Sequence, residues 1–375
     1  MSPVLGAKDE GHTAQLRVLA LTSYPLLAAA TRYRVDQFRG PLSERGVSLD
    51  VRSFLDDAGL QHLYGDSVSR KLSAVGRGLL RRTGDVVRVH DYDVVLVQRE
   101  AMLIGPPIVE WLVSTIGAKP IVLDIDDPIW LPEESLVPGV LSKVRRWPGK
   151  VHWLLRHATV VICGNHILAE YVRSLGGQAR VVPNAVDTGR FRPSTRSHST
   201  RAPLVGWIGS HGTYPYLESI LPSLREVGRR APFRMLVVGS GRKSVPIEGI
   251  PVDVRGFDLE REVEDFASLD IGLYPLSDDP WAAGKSGLKA VQYLAVGAPY
   301  IASPVGIVAE IGVPGVTHFL ANDADDWQTA LSSLLEDQQL RAQMGAAGRR
   351  YAELNHGVPK AADLLAQALR DAAGR

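Results

Sequence analysis

Cysteine and long apolar runs are the scarcest features of this sequence. Cys163 is the only cysteine among 375 residues, so no disulfide can form within the chain, as is usual for proteins of a reducing compartment. No apolar run approaches the roughly 20 residues that a membrane-spanning helix needs. The opening residues MSPVLGAKDEGHTAQ lack the apolar core of a secretory signal. These absences predict a cytoplasmic protein, soluble or attached peripherally to the inner face of the membrane.

An excess of one charge is also missing. The chain has 42 Lys and Arg residues against 41 Asp and Glu residues, for a formal net charge of +1. No overall field would attract a nucleic acid, so any anion site has to be local. The hydrophobic and charged fractions, 45% and 22%, are those of a globular protein. A chain of this length exceeds a single ordinary core, which predicts two domains.

Two series of short apolar runs support that division. LRVLALTSY, YDVVLVQ, PIVLDID and ATVVICG are apolar throughout, which predicts parallel strands buried on both faces by helices. The segment FRPSTRSHSTRAP then has the polar, proline-bounded composition of a linker. The pattern starts again with PLVGWIGS, RMLVVGSG, DIGLYPL and PYIASPVG.

The predicted fold is α/β, with two Rossmann-like, doubly wound domains. We expect residues 1–195 to form an acceptor domain and residues 196–355 to form a donor domain. Residues 356–375 are predicted to be a helix, for which packing toward the first domain is left open. Two such sheets would place a ligand in the cleft between their carboxyl ends.

A glycine turn that carries lysines is the first candidate site. In GKSGLKAVQYL, Gly284, Ser286 and Gly287 let the backbone approach a ligand closely. The opening amides of the following helix lack intrahelical partners and suit a diphosphate. Lys285 and Lys289 add two positive charges one turn apart. A helix start with solvated lysines is the alternative.

A second turn, GWIGSHGTYPYL, also follows a strand. Gly209, Ser210 and Thr213 supply a close backbone approach and two hydroxyl donors, so two turns could hold the two phosphates of one nucleotide. The glycine spacing G-x-x-G-x-x-G differs from the dinucleotide fingerprint G-x-G-x-x-G, which argues against a nicotinamide enzyme.

Carboxylates end one strand of the first half. VLDIDDPIW places Asp124, Asp126 and Asp127 at a strand end, directed toward the cleft. A metal site, an acceptor-orienting pair and a simple cap of the next turn are all compatible with this pattern. Acceptor orientation or electrostatic stabilisation by Asp126 or Asp127 is the preferred interpretation.

Arginines lie beside two other strands of this half. Arg32 and Arg34 follow the first strand closely, and Arg99 directly follows the run YDVVLVQ. We assign all three to the acceptor side of the cleft, where a phosphate of donor or acceptor would suit them. Solvated helix arginines are the alternative for Arg32 and Arg34.

Three segments together resemble the retaining family 4 of the GT-B glycosyltransferases. ATVVICGNHILAEYVRSLGGQARVVPNAVDTGRFRP is similar to the end of that family's first domain, LVGWIGSHGTYPYL to the opening of its second, and GKSGLKAVQYLAVGAPYIASPVG to its donor helix. Many members carry a Glu-x7-Glu pair in the donor helix. Here the matching positions are Gly284 and Gln292, so Gln292 is expected to contact the ribose as a neutral amide.

The resemblance implies a hexosyltransferase that moves a sugar from a nucleoside-diphosphate sugar to an acceptor hydroxyl with retention, as in polysaccharide biosynthesis. Lys285, Lys289, Asp126 and Asp127 are its candidate catalytic residues, with no metal and no cofactor beyond the sugar donor. The acceptor is a glycan, a lipid-linked sugar or a small molecule. A non-catalytic scaffold that binds nucleotide sugars and a sugar-nucleotide epimerase remain alternatives.

Two basic stretches, SRKLSAVGRGLLRRTGDVVRVH and LSKVRRWPGKVHWLLRH, interleave Arg and Lys with apolar residues. Such segments can lie on anionic bilayers. A charged helix face on a soluble domain is the slightly preferred interpretation.

Overall fold

The computed structural model describes residues 15–65, 68–131, 147–194 and 202–374. The opening residues 1–14, most of the linker and the first part of the second basic stretch lie outside these ranges. Within them, no helix combines the length and the apolarity that crossing a bilayer requires.

The first domain is built on a parallel sheet of six strands. Its order is β2-β1-β3-β4-β5-β6. The central strands are buried along their whole length because helices cover both faces, as their uninterrupted apolar sequences predict. The strands are β1 (Leu16–Thr22), β2 (Val47–Ser53), β3 (Val94–Gln98), β4 (Ile121–Ile125), β5 (Val160–Cys163) and β6 (Ala179–Val181).

Among the described residues, seven α-helices connect these strands, and short 3-10 turns lie at Asp36–Phe38 and Arg88–Asp91. The helices on one face of the sheet share a hydrophobic core with Leu19, Val95 and Leu123. Val18, Leu96 and Val122 point to the other face and belong to a second core. The helices are α1 (Ala29–Arg34), α2 (Arg39–Ser43), α3 (Asp57–Gly65), α4 (Val68–Val87), α5 (Ile108–Thr115), α6 (Lys150–His157) and α7 (His166–Ser174).

The second domain repeats the plan with a parallel sheet of order β12-β11-β10-β7-β8-β9. Its strands are β7 (Leu204–Ile208), β8 (Arg234–Val238), β9 (Val252–Arg255), β10 (Ile271–Tyr274), β11 (Tyr300–Ala302) and β12 (His318–Leu320). Its helices are α8 (Tyr214–Gly228), α9 (Glu262–Ala267), α10 (Pro280–Ala283), α11 (Leu288–Ala295), α12 (Ala324–Glu336) and α13 (Gln338–Asn355), with 3-10 turns at His211–Thr213 and Gly306–Glu310.

The last helix, α14 (Val358–Ala372), leaves the second domain and packs on the first sheet. Its buried residues Val358, Ala362, Leu365 and Leu369 join the core of that sheet's second face. The alanines Ala361, Ala366 and Ala368 of the same helix also lie in this core. The two domains are therefore joined at two crossings of the chain.

Each sheet has one point at which the strand order reverses. In the first sheet this point lies between β1 and β3, and in the second between β7 and β10. Loops that follow such neighbouring strands run in opposite directions and leave a crevice, which is the usual ligand site of doubly wound sheets. Arg99 follows β3, and the loop with Lys285 lies between β10 and α11.

Candidate active site

The first-domain wall of the cleft is organised around Arg99. Its Nε and Nη2 atoms donate to Asp126 Oδ1 at 3.0 and 2.9 Å, and Nη2 also donates to Asp127 Oδ2. Arg99 has a φ of 63°, a left-handed conformation that is uncommon for a residue other than glycine. Such backbone conformations concentrate at functional sites. The structure thus brings a predicted acceptor-side arginine onto both predicted catalytic carboxylates.

Burial and charge act in opposite directions on this cluster. Burial disfavours the charged form of Arg99, yet Asp126 and Asp127 outweigh it and raise the pKa of the guanidinium. Burial likewise disfavours the Asp127 carboxylate, but Arg99, Lys285 and Lys289 hold its pKa below the ordinary value. Asp127 therefore remains ionised at neutral pH. It is an anion facing two lysines of the other domain.

The second-domain wall contains the glycine and lysine turn. Gly287 precedes α11 with a φ of 66°, and the helix has no side-chain cap at its start. Burial, followed by repulsion from Lys285, lowers the pKa of Lys289 to about 8. Lys285 Nζ lies 5.7 Å from the centroid of the Trp281 ring. Two ammonium groups and an uncapped helix start thus form a local positive pole in a nearly neutral protein.

The same turn is bound to the first domain by hydrogen bonds. Asn165 Nδ2 donates to the Gly284 carbonyl and to Ser286 Oγ, both at 3.1 Å, while Asn184 Nδ2 donates to the Ser286 carbonyl at 3.0 Å. Ser286 Oγ donates to the Asp126 carbonyl at 2.6 Å. Ser286 is predicted to bind the donor, and here its hydroxyl donates a hydrogen bond from the second domain to the first.

Gly284 stands where the resemblance leads one to expect a glutamate, and its surroundings leave no room for a side chain. A Cβ atom placed on Gly284 would lie 2.6 Å from Pro128 Cγ of the first domain. Any side chain would force the two walls apart in this arrangement. The close approach of Pro128 therefore requires glycine here.

Gln292, the predicted ribose contact, is 3% exposed. Its Nε2 atom donates to Tyr33 Oη at 3.0 Å and to Glu262 Oε1 at 3.4 Å. The amide thus lies on the border of the domains, with its donors engaged by protein groups.

Glu262 is a site residue that the sequence reasoning did not find. It lies on α9 and accepts from Arg32 Nη2 at 3.2 Å, while Glu262 Oε2 and Arg32 Nε are buried without a partner. Arg32 is predicted to lie on the acceptor side. In the structure its guanidinium donates to this carboxylate and to the carbonyls of Leu26 and Leu27. The charged run DLEREVED contains no signal that separates Glu262 from its exposed neighbours.

Arg34 and Asp124 also have a different role from the expected one. Arg34 Nη2 lies 2.6 Å from Asp124 Oδ1, and both side chains are almost fully buried. Arg34 Nη1 donates to the Val182 carbonyl and to Asn184 Oδ1. This arginine therefore joins β4 to the turn after β6 inside the first domain. It has no surface left for an acceptor phosphate.

The second glycine turn lies at the carboxyl end of β7, beside the crevice. Ser210 and Thr213 cap each other, since Ser210 N donates to Thr213 Oγ1 at 2.9 Å and Thr213 Oγ1 donates to the Ser210 carbonyl at 3.1 Å. A Cβ on Gly209 would overlap the Trp207 ring at 2.1 Å. Ser210 is exposed and Thr213 is half-buried.

The carboxylates that suggested a metal are paired with arginines. Across the part of the chain that the structure describes, no group of three His, Cys, Asp or Glu residues has the geometry of a metal site. The walls of the cleft are held by ion pairs and interdomain hydrogen bonds.

Comparison with known proteins identifies the fold. Among solved structures, HepE of Anabaena in complex with UDP-glucose superposes with a TM-score of 0.67 at 17% identity, covering 95% of this chain and 100% of that one. The fold is the GT-B glycosyltransferase fold. The GT-B architecture predicted from the sequence is thereby confirmed.

The family model described as glycosyl transferases group 1 matches residues 202–337, which form most of the second GT-B domain. The sulfoquinovosyl transferase SQD2 of Arabidopsis thaliana is 26% identical over 274 residues, or 64% of this chain. A GDP-mannose-dependent monoacylated phosphatidylinositol monomannoside mannosyltransferase of Corynebacterium glutamicum is 28% identical over 247 residues, or 58% of this chain. The matches span only 51% and 62% of those relatives' lengths.

Proposed function

We propose that the chain is a hexosyltransferase that transfers a sugar from a nucleoside-diphosphate sugar to an acceptor hydroxyl with retention of configuration. The observation that carries this proposal is the positive pole formed by Lys285, Lys289 and the start of α11 at the reversal point of the second sheet. A diphosphate is the anion that such a pole suits. The names of the two relatives and the UDP-glucose bound to the structural neighbour agree with it.

In the proposed reaction, the bond between the anomeric carbon and the diphosphate oxygen breaks, and the diphosphate leaves with the electron pair. Lys285 and Lys289 neutralise the charge that grows on it, an effect aimed at the transition state. The acceptor oxygen attacks from the same face, and its proton passes to the departing phosphate. Asp127, held ionised by Arg99, accepts a hydrogen bond from the acceptor hydroxyl and orients it.

The decisive experiment incubates the full chain with a panel of nucleoside-diphosphate sugars and measures release of the nucleoside diphosphate. Slow release in the absence of acceptor, at least tenfold reduced in Lys285→Ala, is expected. Lys119→Ala, a lysine before β4 at the opposite end of the sheet, is the matched control and should leave the rate unchanged.

Two results would contradict the proposal. Tight binding of a nucleotide sugar without turnover, even with acceptor present, would favour a scaffold, for which the absence of carboxylates at Gly284 and Gln292 is the argument. Interconversion of sugar epimers would instead favour the epimerase.

A further inference from the structure

The left-handed backbone of Arg99 needs support from both sides of the chain. Its φ of 63° is unfavourable for a residue other than glycine, and such a conformation persists only where the surrounding structure over-determines it. Strand β3 holds the chain before Arg99, and the Arg99 amide donates to the Asp124 carbonyl at 2.8 Å. The remaining support has to come from groups that hold residues 100–102, which are called the 100–102 loop below.

Side chains of four separate elements hold the backbone of the 100–102 loop. All three of its carbonyl groups accept a hydrogen bond from a side chain, and one of its amides donates to a carboxylate. A loop usually runs over the surface of a domain, where water pairs such groups. The contacts are Ser23 Oγ to the Glu100 carbonyl at 2.7 Å, Arg82 Nε to the Ala101 carbonyl at 2.7 Å, Lys150 Nζ to the Met102 carbonyl at 2.6 Å, and the Ala101 amide to Glu110 Oε1 at 2.8 Å.

Three of these four side chains carry charges that are buried inside the domain. Arg82, Glu110 and Lys150, called the buried charge cluster below, are 1%, 0% and 3% exposed and lie on α4, α5 and α6. Moving a charge out of water is costly unless hydrogen bonds and an opposite charge compensate. The loop supplies this compensation, since its backbone groups pair with all three side chains and Glu100 Oε2 lies 2.9 Å from Lys150 Nζ. The cluster and the conformation of the loop therefore depend on each other.

Glu110 is the member of the cluster that stability alone explains least. Its Oε2 atom is buried and has no hydrogen-bond partner among the described residues. Burial raises the pKa of this carboxyl, although Lys150 opposes the shift. A buried oxygen without a partner destabilises a domain, and departures of this kind from full pairing are expected at functional sites.

We propose that the buried charge cluster consists of positioning residues, which act through the 100–102 loop to fix the Arg99 guanidinium against Asp126 and Asp127. A reacting group has to be held within about 0.5 Å of its productive position, and groups behind it provide that precision. The catalytic consequence of this positioning rests on the proposed function. The position of Arg99 itself does not.

The position of Arg99 can be followed without any substrate, by nuclear magnetic resonance of its Nε–H group. The signal is assigned by its loss in Arg99→Gln, and its exchange with water should be slow because Nε donates to Asp126 at 3.0 Å. Lys150→Met removes the contact with the Met102 carbonyl and should shift the signal and speed its exchange. Arg156→Met, at an exposed position of the same helix, is the matched control and should leave the signal unchanged.

Glu110 offers a second pair of variants, which separates the loss of a hydrogen bond from the loss of a charge. Glu110→Leu removes the acceptor of the Ala101 amide and should also shift the Arg99 signal. Glu110→Gln retains a carbonyl acceptor at the same position and should keep the signal of the wild-type chain. Thermal melting of each variant checks the fold.

Turnover of the sugar donor tests the catalytic consequence. Lys150→Met should lower kcat for release of the nucleoside diphosphate by up to about a hundredfold, the effect of a misplacement of about 1 Å. The KM for the donor should stay unchanged, because the lysines proposed to bind the donor lie in the other domain. In the Arg99→Gln background the same substitution should lower kcat no further, since it acts through Arg99.

An Arg99 signal that stays unchanged in both Lys150→Met and Glu110→Leu would overturn the proposal. Equal losses of kcat from Lys150→Met with and without the Arg99 guanidinium would also overturn it, because the lysine would then act by another route. The proposed function fails separately. A wild-type chain that releases no nucleoside diphosphate refutes the transferase, while the Arg99 signal still decides whether the buried charge cluster positions Arg99.

Discussion

At the scale of single residues, Lys289 combines two properties that a donor site needs. It is positively charged below its pKa of about 8, and burial leaves that charge poorly solvated. A bound diphosphate would replace the missing solvation and raise the pKa of the ammonium group. Binding above pH 8 would then be coupled to proton uptake.

This coupling predicts a pH dependence of donor affinity. Affinity for the nucleoside diphosphate should fall as pH rises through about 8, approaching tenfold per pH unit well above it. Isothermal titration calorimetry between pH 6.5 and 9.5 measures the effect. Lys289→Arg, which stays charged over this range, should flatten the profile, whereas Lys289→Ala should bind weakly at every pH. A wild-type profile in Lys289→Ala would show that another group titrates.

Arg99 controls the ionisation of the opposite wall. Without its guanidinium, burial of Asp127 would be opposed only by the two lysines. Arg99→Gln should therefore raise the pKa of Asp127 and shift the acidic limb of the turnover profile to higher pH. Arg156→Gln, an exposed arginine on α6, is the control. An unchanged acidic limb would remove Asp127 from the proposed mechanism.

At the scale of elements, α4 shows how a buried charge sets the direction that a helix faces. The guanidinium of Arg82 donates to the carbonyl of Thr22 on β1 and to that of Ala101 in the loop after β3. It also donates to Asp85 of the same helix. A rotation of α4 that buried its leucines would leave these groups unpaired inside the domain. Breaking one such buried pair costs about 3–5 kcal/mol.

Arg82→Met should therefore destabilise the first domain by about 3–5 kcal/mol. The change leaves the buried Asp85 carboxylate with only the more distant Arg52, whose Nε atom lies 3.8 Å from Asp85 Oδ1, while preserving much of the side-chain volume. Urea unfolding followed by circular dichroism measures the loss. The exposed Arg88→Met should change the free energy of unfolding by less than about 0.5 kcal/mol. Similar values for the two variants would show that Arg82 does not hold the helix.

At the scale of the whole molecule, the two domains meet through glycine and small polar residues. A Cβ on Gly164 would lie 2.2 Å from Ser286 Oγ and 2.7 Å from Ser286 Cβ. The contact between the walls is therefore as close as the backbone permits. Hydrogen bonds from Asn165 and Asn184 hold it.

Gly164→Ala should force the walls apart and increase the radius of gyration measured by small-angle X-ray scattering. Combining it with Ser286→Gly should restore the smaller radius, because both clashing atoms are removed. The single Ser286→Gly variant is the control for loss of the hydroxyl. A radius that is unchanged in Gly164→Ala would mean that the walls do not meet this closely in solution.

The elements and their order could be predicted from the sequence to a large extent. Runs such as VVLVQ and IVLDI are largely apolar and buried at every position. A short apolar run of this kind is enough to predict a strand that is buried on both faces. The loop of Gly284–Lys289 could also be singled out from the sequence, because glycine, lysine and a following helix are close together in the chain, and its role in donor binding stays a prediction. Glu262, Tyr33 and Asn165 were missed as site residues, since nothing beside them in the sequence marks their contacts.

The sequence by itself determined the two parallel sheets, their helices and the positions of Gly284–Lys289, because hydrophobic periodicity and turn chemistry act over a few residues. Only the tertiary structure decided which charges face the cleft and which lie inside a domain. Arg34 and Asp124 are 90 residues apart and Arg32 and Glu262 are 230 apart. The partner of a buried charge is set by packing between distant segments, and no local pattern of the chain encodes it.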